Sequence, residues 1–121
     1  MASRSLPLIL VRLESLAILL ATLILYREVG ASWWLFALLF LVPDLSLLPY
    51  VRGVGTAAAA IYNGVHTYAI PVLLFIVGLM VESSSVTAVA LIWAAHIAFD
   101  RLLGFGFKYP EAFKDTHLQR I

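Results

Sequence analysis

The sequence predicts an all-α protein, a bundle of four transmembrane helices followed by a short amphipathic C-terminal tail. Three observations predict this class. Of the 121 residues, 63% are hydrophobic and only 12% are charged. The mean hydropathy of +1.00 lies far above that of soluble domains. Four apolar stretches, each of about the 20 residues that span a bilayer, fill nearly the whole chain. We therefore expect residues 1–121 to form a single integral membrane domain.

The four helices are predicted at about residues 6–26, 32–48, 55–81 and 85–103, with the tail at 104–121. Pro7 fits the first turn of the first helix, where a missing N–H costs nothing. Ser32 is a candidate N-cap for the second helix. Because Pro43 lies inside that helix, we expect a kink just before Asp44.

The third helix is predicted to be long, kinked in its middle by Pro71, and lined on one side by small residues. Pairs of small residues four apart let a neighbouring helix approach closely, so this face is a candidate surface for homo-oligomers: Gly55, Ala59, Ala60 and Gly64. The fourth helix follows a serine-rich turn and ends at Gly104.

The basic residues are distributed unequally between the two ends of the predicted bundle. With four spans, Arg27 is the one basic residue on one side, and seven lie on the other: Arg4, Arg12, Arg52, Arg101, Lys108, Lys114 and Arg120. Cytoplasmic segments are enriched in Lys and Arg. We therefore expect a multi-pass protein of the cell inner (plasma) membrane with both termini in the cytoplasm. The small number of basic residues argues against nucleic-acid binding.

Each predicted helix carries a polar side chain to the cytoplasmic half of the bilayer. His96 and Asp100 are four residues apart and share one helical face, as do Asn63 and His66, which are three apart. Lipid-facing ionisable groups are unfavourable, so these side chains should point into the bundle and meet. The expected cluster comprises Glu14, Asp44, Asn63, His66, His96 and Asp100.

Two histidines and several carboxylates are typical ligands of a divalent cation such as zinc, manganese or iron. We expect His66, His96 and either Asp100 or Asp44 to hold the metal. The absence of cysteine excludes disulfides and thiolate ligands.

The first functional hypothesis is a metal-dependent membrane hydrolase that acts on a lipid-like or amphiphilic substrate at the cytoplasmic leaflet. A carboxylate left over from metal binding, Asp44 or Glu14, would then be the general base. Arg101 and Lys108 are candidates to bind an anionic lipid headgroup. Additional supporting residues are Asn63 within the bundle, and Asp115 and His117 of the tail, which can close over the site.

Three alternatives remain open at this stage. His66 and His96 can instead be axial ligands of a haem in a redox module. The buried acids and imidazoles can form a transporter or proton-relay path. The polar cluster can also serve only to fix helix packing in a structural membrane protein.

Several segments resemble those of a small uncharacterised family of bacterial four-helix integral membrane proteins. They are LVPDLS (41–46), YNGVHTY (62–68), IWAAHIAFDR (92–101), GFGFKYP (104–110) and FKDTHL (113–118). The resemblance implies the fold and the membrane location, and carries no activity. A weaker similarity is to membrane-bound metal-dependent hydrolases with a Pro-Asp-x-Asp motif. Ser46 stands in place of their second aspartate, so this similarity supports only Asp44 as a metal ligand.

Overall fold

The computed structural model describes residues 6–52 and 55–104, and within these ranges every regular element is helical. This confirms the predicted all-α class. Five α-helices and one 3₁₀ helix follow one another: α1 (Leu6–Val29), α2 (Trp33–Leu39), the 3₁₀ helix (Val42–Arg52), α3 (Thr56–Val65), α4 (Ala69–Met80) and α5 (Ser84–Leu103).

Helix α5 lies at the centre of the bundle, between α1 and α4. About 61% of its apolar stretch is buried, against 17% for α1. Arg12 near the start of α1 donates from Nε to the carbonyl of Leu102 at the end of α5, over 2.9 Å. Tyr26 near the end of α1 packs against Leu91 in the first half of α5. Helices α1 and α5 are therefore antiparallel.

Small side chains allow this close packing. Four alanines of α5 are almost completely buried, namely Ala88, Ala90, Ala95 and Ala98. Helix α4 approaches α5 closely at Gly78, where an added Cβ would clash with Oγ1 and with the backbone of Thr87. The tight turn after α4 is closed by the N–H of Ser83, which donates to the carbonyl of Gly78. Helices α4 and α5 therefore form an antiparallel hairpin.

Three segments are long and apolar enough to cross a membrane: Leu6–Val29, Thr56–Met80 (α3 with α4) and Ser84–Leu103. Because α1 and α4 both run opposite to α5, the chain between α1 and α3 has to return across the bundle. That return is made by α2 and the 3₁₀ helix. Large apolar side chains cover much of the outer surface, including Leu13, Leu20, Leu38 and Leu73, as expected for helices surrounded by lipid.

The return segment differs from the continuous helix predicted at 32–48. Ser32 does cap α2, since its Oγ accepts from the N–H of Trp34 over 3.1 Å. However, α2 ends at Leu39, and the chain continues as a 3₁₀ helix from Val42. Pro43 and Pro49 lack the N–H groups that an α-helix needs at these positions. The N–H of Asp44 instead bonds to the carbonyl three residues earlier.

The third predicted helix, 55–81, is interrupted at residues 66–68 rather than kinked at Pro71. Pro71 occupies the first turn of α4, where its missing N–H leaves no helical bond unmade. Within α3, Ala59 is buried and Ala60 is exposed. Self-association through the small-residue face of α3 stays a prediction.

Candidate metal centre

Three separate segments bring four ionisable side chains to one point. Asp44 lies in the first turn of the 3₁₀ helix, His66 follows the last residue of α3, and His96 and Asp100 lie one turn apart on α5. One nitrogen or oxygen atom from each of these residues lies within 4.8 Å of the corresponding atoms of the other three. We call these four residues the His–Asp cluster. Sequence reasoning brought the same four residues together as metal ligands.

Three of the four ligand atoms form a nearly equilateral triangle. Nε2 of His66 and Nε2 of His96 are 3.2 Å apart. Oδ2 of Asp100 lies 3.1 Å from the first and 3.3 Å from the second. Ligand atoms bound at about 2.0–2.1 Å to one ion lie about 2.9–3.4 Å apart in octahedral or tetrahedral geometry. The triangle therefore has the dimensions of one face of a coordination polyhedron.

Asp44 is the fourth residue of the cluster and its most accessible member. Its Oδ1 lies 3.1 Å from Nε2 of His96 and 3.8 Å from Nε2 of His66. The side chain of Asp44 is 40% exposed, against 13% for Asp100 and 1% for each histidine. Asp44 can therefore serve either as a fourth ligand or as a base beside an open coordination position.

The orientation of His66 is fixed by the last turn of α3. Its Nδ1–H donates to the carbonyl of Tyr62 over 3.0 Å. The Tyr62 ring stacks on the imidazole, with centroids 3.9 Å apart and planes inclined by 13°. Because the proton on Nδ1 is committed to a carbonyl, the neutral ring presents the lone pair of Nε2 to the cluster. Metal-binding histidines are commonly oriented by such a bond from their second nitrogen.

Two side chains of α5 bind the backbone of the interruption between α3 and α4. Trp93 donates from Nε1 to the carbonyl of Val65 over 2.7 Å. Arg101, which is only 6% exposed, donates from Nη2 to the carbonyl of His66 over 3.0 Å. These bonds satisfy carbonyls that the end of α3 leaves without helical partners. They also hold His66 at a fixed height beside α5.

His96 is enclosed by aromatic rings. Phe40 packs its edge against the imidazole at a centroid distance of 5.4 Å. Within the described part of the chain, Nδ1 of His96 is buried with no hydrogen-bond partner of good geometry. Nε2 of His96 makes the contacts with the His–Asp cluster, and the backbone of Phe40 also interacts with this ring.

The cluster is suited to a cation. Two carboxylates and two imidazole lone pairs converge there. If both histidines were protonated, their Nε2–H groups would face and repel each other across 3.2 Å. A divalent ion would instead accept all four lone pairs and balance two carboxylate charges, which lowers the cost of burying them.

The geometry does not fit a haem with His66 and His96 as its axial ligands. Axial ligands lie on opposite sides of the iron, about 4 Å apart, with the porphyrin between them. Here the nitrogens are 3.2 Å apart, and carboxylate oxygens lie beside both.

The other predicted site residues are placed as follows. Glu14 lies on an exposed face of α1 and is not among the residues whose ligand atoms converge. Asn63 is half-buried on α3, one turn before His66. Arg101 lies beside the cluster, bound to the His66 carbonyl. Lys108, Asp115, His117 and the rest of the predicted amphipathic tail beyond Gly104 lie outside the described residues.

Sequence reasoning did not assign the residues that orient the cluster. The carbonyl of Tyr62 and the indole of Trp93 both do so. A signal for each was present in the sequence. Tyr62 stands one turn before His66, so the two rings share a helix face. Trp93 is an amphipathic ring that usually finds a partner for its N–H when it is buried.

The fold and the site together define a class: helical proteins of membrane-spanning length with a buried group of histidines and aspartates that can hold a metal ion. Residues 8–121 match the family described as a domain of unknown function, DUF4260, and the chain belongs to that family. No curated protein and no solved structure matches the chain.

Proposed function

We propose that the protein is a metal-dependent hydrolase of the membrane, in which His66, His96 and Asp100 bind a divalent transition metal and Asp44 is the general base. The observation that carries the proposal is the triangle of 3.1, 3.2 and 3.3 Å formed by the three ligand atoms. Three protein ligands with a further position left for water are typical of catalytic zinc sites. The greater exposure of Asp44 gives water access to that position.

Apart from the metal and one water, the chemistry requires only side chains of the His–Asp cluster. His66, His96 and Asp100 would hold the metal, which would supply a water acidic enough to lose a proton near neutral pH and would polarise the bond under attack. Asp44 accepts that proton, and the water oxygen attacks the carbonyl carbon or phosphorus of an ester. The bond to the leaving oxygen breaks, and the proton returns from Asp44 to that oxygen. One water is consumed, and no oxidant or reductant is needed.

The substrate in this proposal is lipid-like or amphiphilic, because the cluster lies among apolar helices. We place the site towards the cytoplasmic leaflet, from the excess of Lys and Arg expected on that side. The natural chain has no cysteine, so single introduced cysteines report the orientation. Glu28→Cys should react with a membrane-impermeant maleimide only from outside the cell. Reaction only after lysis would reverse the proposed orientation.

Elemental analysis of detergent-purified protein tests the metal site directly. We expect nearly one zinc, manganese or iron ion per chain, and loss of that ion in His96→Ala. The matched carboxylate control for Asp44→Asn is Glu28→Gln, since Glu28 is exposed and pairs with Arg27 away from the His–Asp cluster. With alkyl p-nitrophenyl esters and phosphodiesters in micelles, Asp44→Asn should retain metal and lose most hydrolysis. Folded wild-type protein that binds no metal and ignores chelators would refute the proposal.

One observation favours a second candidate, transport of the cation itself. The span Thr56–Met80 is interrupted at His66, and interrupted helices form ion sites in many transporters. Metal-dependent uptake by proteoliposomes that is lost in His66→Ala, without ester hydrolysis, would favour this candidate. If alanine at His66 and His96 lowered thermal stability and changed no binding or flux, the cluster would serve only helix packing.

A further inference from the structure

A groove opens beside the His–Asp cluster, between the return segment, α3 and α5. Its volume is about 470 Å³, which falls in the range of small-molecule sites, about 300–1,000 Å³. The walls are formed mainly by apolar side chains, including Leu39, Val42, Leu45, Ile61, Val89 and Ile92. Several of these side chains are also exposed on the outer surface of the bundle, among them Leu45, Ile61 and Val89. The groove is therefore continuous with the surface that faces hydrocarbon.

The polar groups of the groove wall are already satisfied within the protein. Ser46 donates its hydroxyl to the carbonyl of Pro43 over 2.7 Å. Trp93 donates its indole N–H to the carbonyl of Val65 over 2.7 Å. A polar ligand would lose its hydration here without gaining partners for its own donors and acceptors. The chemistry of the wall therefore selects a hydrocarbon chain.

Each of the three segments that line the groove also carries a member of the cluster close by in the chain. Pro43 and Ser46 flank Asp44 in the chain, Val65 precedes His66, and Ile92 lies one helical turn before His96. The four cluster residues do not line the groove themselves, so a ligand whose apolar part fills the groove would have to extend its polar end past the lining residues towards Asp44, the accessible member of the cluster.

We propose that the groove binds one acyl chain of a lipid, with the polar end of that lipid held at the His–Asp cluster. The orientation of the polar end rests on the proposed metal site, whereas binding of the chain itself does not. The substrate class is then a membrane amphiphile whose scissile bond lies next to its acyl chain.

Quenching of Trp93 fluorescence tests the acyl chain. The probe is a lysophosphatidylcholine brominated midway along its chain, added to micelles of protein carrying Trp33→Phe and Trp34→Phe, so that Trp93 is the one remaining tryptophan. We expect quenching to saturate near one probe molecule per protein. Quenching that rises in proportion to the probe's share of the micelle, as for any surface tryptophan, would overturn the proposal. This comparison needs no variant in the groove.

A matched pair of substitutions adds a second measurement. Val89 lines the groove and Val77 does not, although both are exposed on the outer surface of the bundle. Val89→Phe should weaken saturable quenching by about fivefold or more because the larger ring overfills the groove. Val77→Phe should leave it unchanged. Equal quenching in folded samples of the two variants contradicts the proposal.

The metal is measured in the same samples, so that failure of the groove and failure of the metal site are distinguished. Saturable quenching in metal-free protein supports the groove even if the hydrolase proposal fails. One metal per chain without saturable quenching rejects the groove alone. In zinc-loaded protein, dodecyl hydroxamate should displace the probe at least about tenfold more strongly than dodecanol, since only the hydroxamate chelates. Equal displacement contradicts the placement of the polar end at the cluster.

Discussion

The substitution Asp100→Asn removes the carboxylate that lies within 3.3 Å of both imidazole nitrogens. Nε2 of His66, Nε2 of His96 and Oδ2 of Asp100 would together hold the metal ion, so Asp100→Asn removes one of three protein ligands. Groups that only orient metal ligands are worth about 10–100-fold in metal affinity. Loss of a ligand should therefore weaken binding by at least about 100-fold.

Asp44→Asn is the informative comparison for this prediction. Its carboxylate lies 3.1 Å from one imidazole nitrogen but 3.8 Å from the other, and its side chain is 40% exposed. In the proposed site Asp44 acts beside the open position and is not a ligand, so its substitution should lower metal affinity by about tenfold at most. Competition against a chelating dye, with elemental analysis of the washed protein, measures both affinities, and Glu28→Gln is the control. Affinity of Asp100→Asn within about threefold of the wild type would refute the assignment of the ligands.

Three other predictions, the first with a control substitution, concern packing and pH. Gly78→Ala places a Cβ 2.4 Å from Oγ1 of Thr87 and should destabilise the bundle by about 1–3 kcal/mol in thermal or chemical unfolding. Gly64→Ala, where a Cβ meets nothing within 4 Å, should be neutral or slightly stabilising because alanine favours helix. Tyr26→Phe leaves the carbonyl of Ser32, now 2.5 Å from the tyrosine hydroxyl, without that donor and should cost about 1–3 kcal/mol. Bound metal should be lost on acidification, since ligands must be deprotonated; occupancy that is constant from neutral pH to about pH 4 would contradict coordination by histidine.

The membership of the cluster could be predicted from sequence because depth in a membrane follows from residue count. His66, His96, Asp100 and Asp44 are all predicted in the cytoplasmic half of the bilayer, and lipid disfavours them everywhere except inside the bundle. Rotation about the helix axis is harder to predict. Glu14 has the expected depth, but it precedes Ser15, which lies on the buried stripe of α1. One residue turns a helix by about 100°, and this leaves Glu14 exposed.

The interruption of the third helix could not be placed from sequence alone. Pro71 signals a disturbance, but a proline can either kink a helix or begin a new one. In the structure Pro71 lies in the first turn of a new helix. The break before it is stabilised by Trp93 and Arg101 of α5, which donate to the carbonyls of Val65 and His66. These two hydrogen bonds are tertiary contacts, so the local sequence around Pro71 does not predict them.

The position of α5 at the centre of the bundle has a consequence for biosynthesis. The chain is synthesised from its N-terminus, so α5 is the last described helix to leave the ribosome and enter the bilayer. It contributes His96 and Asp100, half of the His–Asp cluster. Asp44 and His66 are synthesised earlier. Together they supply only two of the four ligand atoms, Oδ1 and Nε2, which lie 3.8 Å apart. A metal site made of these four residues would therefore be complete only once α5 has joined the bundle.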